Sequence, residues 1–236
     1  MILTEAKEEL SRKLDISYTD IANNGLFTDT DLAEWLWQAI LRVWDHKPWD
    51  FTEGAKSVAT ENTEYYDYPN DFMLGSIFQL MIGGKTYRKM QFRDYLLFKE
   101  TNPTANDKVY AEYNGFVFVN QNSYTIGDTM DLFGKLKATK LTGGSELLPF
   151  GQATDDNEHS GNEAIVTLAY ALALDSEKKK NPAQAQVEEK KAYFILDTLW
   201  KPFADSRSWQ QTDIQMFDVP DMFGRAGNAN NIGNFN

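Results

Sequence analysis

Phe78-Gln-Leu-Met-Ile-Gly-Gly-Lys-Thr-Tyr-Arg-Lys-Met-Gln-Phe92 is the stretch on which the reading of this chain turns. Apolar and polar residues alternate on both sides of Gly83-Gly84, a pair suited to a two-residue β-hairpin turn. The same letters contain Gly84-Lys85-Thr86, the end of a phosphate-binding loop. The full G-x-x-x-x-G-K-[ST] motif requires glycine where Gln79 stands, and it must open a helix. Tyr87 to Phe92 alternates like a strand instead, so the stretch is read as a hairpin and not as a nucleotide site.

A second hairpin is expected from Val109 to Val119 around Asn114-Gly115, and a further strand from Thr129 to Leu136. Between the hairpins, Arg93 to Lys99 reads as a short helical turn. The middle of the chain is therefore expected to be a small β-rich module of roughly five or six strands.

Helical periodicity flanks it. Leu3, Leu10 and Leu14 mark a short amphipathic helix. Leu32, Leu36, Ile40 and Val43 line one face of a second, with Thr28 or Thr30 as its cap and Asp29, Asp31 and Glu34 at its positive end. Trp35, Trp37 and Trp44 broaden that apolar surface beyond what one small core is expected to hold. After the β region, Ser160 and Glu163 read as a capping box for a helix reaching about Lys179. Asn181-Pro182 opens another, with Val187, Tyr193, Phe194, Leu196, Leu199 and Trp200 on its core side and Pro202 as its stop. The short link makes these two an antiparallel pair.

The fold expected from this order is α+β: an antiparallel helical bundle with an inserted small β-rich module and an extended C-terminal arm. Its parts are the N-terminal helices (1–54), the inserted module (55–145), the helical hairpin completing the bundle (146–204) and the arm (205–236). In the arm, Trp209, Ile214, Met216, Phe217, Val219, Met222 and Phe223 recur without helical or strand period and are interrupted by Pro220, Gly224, Gly227 and Gly233. So many apolar anchors in a segment with no core of its own suggest ordering against another protein surface. The plain alternative is a terminus packed loosely on its own domain.

Composition narrows the function. The chain has 236 residues, 42% of them apolar, and a formal net charge of -12, so wrapping nucleic acid by neutralising phosphates is not expected. DNA passing nearby without adhering is compatible with an acidic surface. There is no cysteine, which excludes disulfides, thiolate nucleophiles and Cys-ligated metals. The N-terminal residues are charged and helical in pattern rather than a signal peptide, and no run approaches the roughly 20 apolar residues of a membrane span. A soluble protein made in the cytoplasm is expected.

No catalytic or metal residues and no cofactor are assigned. His46 and His159 lack partners at metal spacing. The pairs Asp67 and Asp71, Asp128 and Asp131, and Asp155 and Asp156 are what 35 acidic residues produce by chance. Ser145 and Ser160 lack a nucleophile-elbow context. Tyr65, Tyr66 and Tyr68 before Pro69 read as core or rim aromatics, with a sugar-binding platform as the sharper reading. Lys178, Lys179 and Lys180 form a basic helix end, either solvated or pairing with an acidic neighbouring subunit.

The order of parts resembles the head-to-tail connector, or adaptor, proteins of tailed bacteriophages. The resemblance spans nearly the whole chain. It is carried by Asp31-Leu-Ala-Glu-Trp-Leu-Trp-Gln-Ala-Ile40 with Trp44 and Pro48-Trp49-Asp50, by Tyr66-Asp-Tyr-Pro69, and by Ile82-Gly-Gly-Lys85. Leu148-Pro-Phe150, Gly161-Asn-Glu-Ala-Ile-Val166 and Asp175 to Gln184 complete it. It implies a structural virion protein of the neck and not an enzyme. Such a protein forms a ring of identical subunits, commonly dodecameric, docked on the portal protein around the DNA channel. The arm, through Trp209, Ile214, Met216, Phe217, Met222 and Phe223, would contact the portal or the next subunit. The β insertion, through Gly83, Gly84, Lys85, Asn114 and Gly115, would face tail components (nozzle, stopper or tail fibre), and Lys178 to Lys180 would make intersubunit ion pairs. The alternatives are a stopper that plugs the channel, and a carbohydrate-binding or tail-fibre-associated module built on the β insertion.

Overall fold

The computed structural model describes residues 1–21, 26–151 and 156–216, with backbone alone for 20, 156–159 and 201–216. Helices α1 (Leu3–Lys13) and α2 (Asp29–His46) come first. Strands β1 (Glu53–Ala59), β2 (Tyr65–Asp67), β3 (Phe72–Ile82) and β4 (Lys85–Met90) follow. Helix α3 (Phe92–Thr101) leads to β5 (Val109–Tyr113), β6 (Phe116–Val119) and β7 (Thr129–Leu136), and the chain returns to helix in α4 (Asp156–Asp175) and α5 (Pro182–Met216).

The helical layer closes on α2. Thr28 accepts a hydrogen bond from the Asp31 N–H, and Asp31 accepts one from the Thr28 N–H, so the first turn is capped reciprocally. Leu32, Leu36, Ala39, Ile40 and Val43 are buried against α1 and α4, in a core that Ala192, Leu196 and Leu199 of α5 complete. Each large side chain among them contributes about 1.5–3 kcal/mol through removal from water. Trp35, Trp37 and Trp44 all pack partly buried against this one core, correcting the expectation that they exceed it. Their indoles lie at its rim. The Trp44 Nε1–H donates to the Leu136 carbonyl at 3.1 Å, joining the helical layer to β7. Below them Trp49, 2% exposed, donates to the Val43 carbonyl at 2.9 Å and meets Phe150 and Trp200 edge-on.

The expected bundle with a small β insertion is corrected by the sheet. It has seven strands in the order β1-β7-β3-β4-β5-β6-β2, mixed in direction and curled into a half-barrel. Its concave core of Tyr66, Phe72, Ile77, Leu80, Ile82, Tyr87, Tyr110, Val117, Val119, Met130 and Leu132 is separate from the helical core. Both hairpins form. Gly83 and Gly84 take φ of +55° and +72°, and Asn114 and Gly115 take +50° and +81°, the positive values a tight primed turn requires. What enlarges the sheet is non-local. Strands β4 and β5 pair in parallel, Lys89 opposite Tyr110, with α3 as the crossover, so the hairpins fuse. Strand β1 pairs with β7 far along the chain, and β2 with β6. Helix α3 covers the convex side through Tyr95 against Val109, Ala111 and Phe118.

Two helix boundaries also differ from expectation. Helix α4 is already running at Asp156, which puts Ser160 inside it, and it ends at Asp175 in a turn where Lys180 has φ of +50°. Helix α5 passes through Pro202 to Met216, so Asp205–Met216 is helical rather than an extended arm. A proline deletes one backbone hydrogen bond, and the helix continues past it. No described helix is long and apolar enough to cross a membrane.

Candidate functional site

Helix α5 is apolar on two sides. Ala185, Ala192, Leu196 and Leu199 are buried in the helical core. Val187 and Phe194, two turns apart and therefore on one face, are 63% and 73% exposed. Lys190 and Lys191 are exposed between them. The helix is tied to α2 and its exit by ion pairs from Arg42 to Glu189 at 2.7 Å and Lys47 to Asp197 at 3.1 Å, and by a His46 Nε2–Asp197 hydrogen bond at 3.0 Å. The Lys47 and His46 contacts hold the Asp197 carboxyl below the usual carboxylate range. The outward-facing Val187 and Phe194 are therefore carried on a helix tied to α2 from behind.

Of the basic run, Lys178 is engaged within its own chain, 2.6 Å from Asp31 at the start of α2 and 6.0 Å from the Phe27 ring centre. Lys179 and Lys180 are exposed. Burial pushes the Asp31 carboxyl up, but hydrogen bonds from Lys178 and Thr28 outweigh it and hold the group below its ordinary value. Trp209, Ile214 and Met216 belong to the last turns of α5 by backbone. Phe217, Met222 and Phe223 lie outside the described residues.

Gly83, Gly84 and Lys85 form the exposed tip of the β3–β4 hairpin. The second tip, Asn114-Gly115, has chemistry that the sequence reading missed. It stands beside the start of β3, where the pairing with β7 slips between Phe72 and Ile77 and Gly75 takes φ of +77°. Tyr68 holds this irregular segment: its hydroxyl donates to the Met73 carbonyl at 2.9 Å and accepts from the Ser76 N–H at 2.9 Å. Lys89 reaches across to donate to the Gly75 and Ile77 carbonyls at 3.2 and 2.9 Å.

Between that segment and the Asn114-Gly115 turn is an open cleft lined by Tyr68, Leu74, Gly75, Glu112, Tyr113 and Phe116. The Glu112 side chain is 7% exposed. Its Oε1 pairs with the Lys89 ammonium, and the Tyr68 hydroxyl also interacts with the carboxylate. Burial pushes the Tyr68 and Tyr110 phenols up, and the neighbouring Glu112 charge adds to this. Tyr113 stacks one face on Phe92 at 4.2 Å and 5° and is still 56% exposed. The signal was in the alternation of Val109 to Tyr113. Tyr110 and Glu112 share a face, so a core-facing Tyr110 turns the carboxylate inward with it.

Of the tyrosine run, Tyr66 and Tyr68 are buried and Tyr65 is 55% exposed, edge-on to Phe116. Asp128 accepts from the Thr125 N–H at 3.0 Å, and Asp131 accepts from the Ser57 hydroxyl. His159 and Asp155 lie outside the described side chains. Among the described residues, no three acids or histidines are grouped to hold a metal ion. No protein-family model and no curated protein matches the sequence.

Proposed function

We propose that the chain is a structural ring subunit of the head-to-tail connector type, seated on a portal and surrounding the path of passing DNA. The observation that carries the reading is the second apolar side of α5. Val187 and Phe194 stand out from a helix whose other side already fills the core. Burying them against a different surface of the next copy would contribute about 1.5–3 kcal/mol per large side chain. A contact between two unlike surfaces repeats head to tail, and a ring is the closed form of that repetition. The net charge of -12 suits a channel through which DNA slides without adhering. Residues 205–236 are the segment assigned to the portal or the neighbouring subunit, and the Gly83-Gly84 and Asn114-Gly115 tips are assigned to tail components.

The test is mass in solution, by native mass spectrometry or light scattering, with and without the cognate portal. Ring formation, alone or on the portal, that Phe194→Asp abolishes while leaving the helical circular dichroism intact is the expected result. A chain that stays monomeric at every concentration and ignores the portal overturns the proposal. So does a ring that forms equally well with aspartate at position 194.

A further inference from the structure

We infer that the surface of the next copy that receives Val187 and Phe194 is the aromatic outer face of β5, β6 and β2, beside α3. The inference rests on the ring reading and names the partner surface which that reading leaves open. Five rings form one connected platform there. Phe92 stacks on Tyr113 at 4.2 Å and lies 4.8 Å from Phe118. Tyr65 meets Phe116 edge-on at 5.4 Å and reaches Phe118 at 6.1 Å. Strand register puts these side chains on one side of the sheet: Tyr65 is opposite Phe118, and Phe116 is opposite both Tyr113 and Asp67. It is the side on which α3 lies, since Phe92 and Phe118 both pack with Tyr95 of that helix. Tyr65 and Tyr113 are still 55% and 56% exposed. Leu96, one turn beyond Phe92, and its neighbour Leu97 extend the apolar surface along α3, each more than half exposed. A connected exposed patch of this kind marks a contact site, and aromatic side chains are enriched in such contacts.

Charge selects the occupant. On α5, Lys190 and Lys191 are exposed between the two apolar anchors. Among the described residues Lys190 is in no ion pair, and Lys191 has only a long contact of 3.8 Å with Glu188 of its own helix. The platform has the opposite sign. Asp67, Asp94 and Glu100 on β2 and α3 are exposed and in no ion pair among the described residues, against one such cation, Arg93, while Lys99 is already paired with Glu64 at 2.8 Å. Seating α5 on α5 would set lysine against lysine, and seating platform on platform would set acid against acid. The crossed arrangement alone brings opposite charges together. It also offers the lysine ammonium groups aromatic faces to rest on. One chain thus carries both halves of the contact, on different surfaces, as a closed head-to-tail ring requires.

The experiment places the photocrosslinker p-benzoylphenylalanine in place of Thr198, which is exposed one turn beyond Phe194 on the same face of α5. Rings, formed alone or on the portal, are assembled from a mixture of unlabelled and nitrogen-15-labelled chains, irradiated, digested and mapped by mass spectrometry. Adducts joining a light to a heavy peptide, with the acceptor within residues 63–67, 92–101 or 113–118, are the expected result. In parallel, the Tyr65→Lys, Tyr113→Lys double variant should weaken ring assembly at least about tenfold, because it removes aromatic contact and opposes the α5 lysines. Leu74→Lys, at a position 71% exposed but off the platform, should leave assembly unchanged. If the double variant does not fold, the adduct map still decides the matter. Intermolecular adducts confined to other parts of the chain, adducts to the portal instead, or a ring indifferent to the folded double variant would overturn the inference and leave the ring reading intact. Absence of any ring overturns both.

Discussion

Gly134→Ala is the sharpest probe of how the sheet is assembled. Gly134 is buried in β7 opposite Ile77, between the two slips in the pairing with β3. A Cβ at this position would lie 2.7 and 2.9 Å from Phe72 Cδ2 and Cε2, and 3.4 Å from the Ile77 Cα. The Phe72 ring would have to retreat by about 0.7 Å to reach ordinary contact. It is fully buried, and the Ile77 backbone stands beside it, so it has no free space to enter. Overpacking of this kind costs about 1–3 kcal/mol. Replacing glycine by alanine returns roughly 0.4–1 kcal/mol by restricting the unfolded chain. The net expectation is a loss of up to about 2.5 kcal/mol, centred near 1 kcal/mol, or a few degrees of melting temperature in a chain of this size. All six tryptophans lie outside residues 53–136, so indole fluorescence follows the helical layer. Near-ultraviolet circular dichroism of the sheet tyrosines follows the other core. The loss should appear in the tyrosine-reported urea midpoint. Phe72→Leu in the same chain should recover about 1 kcal/mol relative to the sum of the single changes. A neutral or stabilising Gly134→Ala, or strict additivity with Phe72→Leu, would refute the close approach of β7 to Phe72.

Thr28→Ala removes the reciprocal cap of α2 and should lower stability by about 0.5–2 kcal/mol, read from the tryptophan-reported urea midpoint. Asn114→Val places a β-branched residue at φ of +50° and should cost about 1–3 kcal/mol in the tyrosine-reported transition, whereas Asn114→Gly should cost little. Acid should destabilise the helical layer through Asp31 and Asp197, whose carboxyls are both held below their ordinary values in the fold. A group depressed in this way stabilises above its unfolded pKa, about 3.9, and that stabilisation is lost as pH falls through its lower folded value. The midpoint should therefore drop from pH 6 to pH 3. The Asp31→Asn, Asp197→Asn double variant should narrow that difference, and an unchanged difference would count against both pairings.

What could be read from the residues was what local chemistry specifies. The cap of α2 (Thr28, of the two threonines the sequence offers), the Gly83-Gly84 and Asn114-Gly115 turns and the Asn181-Pro182 start each act within a few positions, and all appear where their residues stand. The sheet as a whole was not legible, because β1 and the β4–β5 join depend on partners remote in sequence. Strand β1, Glu-Gly-Ala-Lys-Ser-Val-Ala, is exposed along most of its length and shows no alternation to mark it, since it is an edge strand held by its ladder to β7. The parallel join needs the α3 crossover, which a reading of two independent hairpins does not anticipate. On α5, residues 187 and 194 were assigned to the core together with 196 and 199. Periodicity shows that a helix has apolar residues, but only packing shows which of two apolar sides is already occupied. Glu112 was passed over because carboxylates are usually solvated.

The register of β1 against β7 has a consequence for how such a chain can vary. Glu53 lies opposite Lys135, so the backbone enters and leaves the sheet at adjacent positions, roughly 5 Å apart as paired strand residues are. The whole seven-strand unit is thus a cassette hung from a single gate. Trp44, Asp45 and Glu34 on α2 grip the exit through Leu136, Lys135 and Lys140. Insertions or deletions beyond that gate change what the cassette displays while the helices keep their packing. Because closing a longer loop costs only slowly more entropy, the surface presented by the sheet can be exchanged without redesigning the layer that carries it.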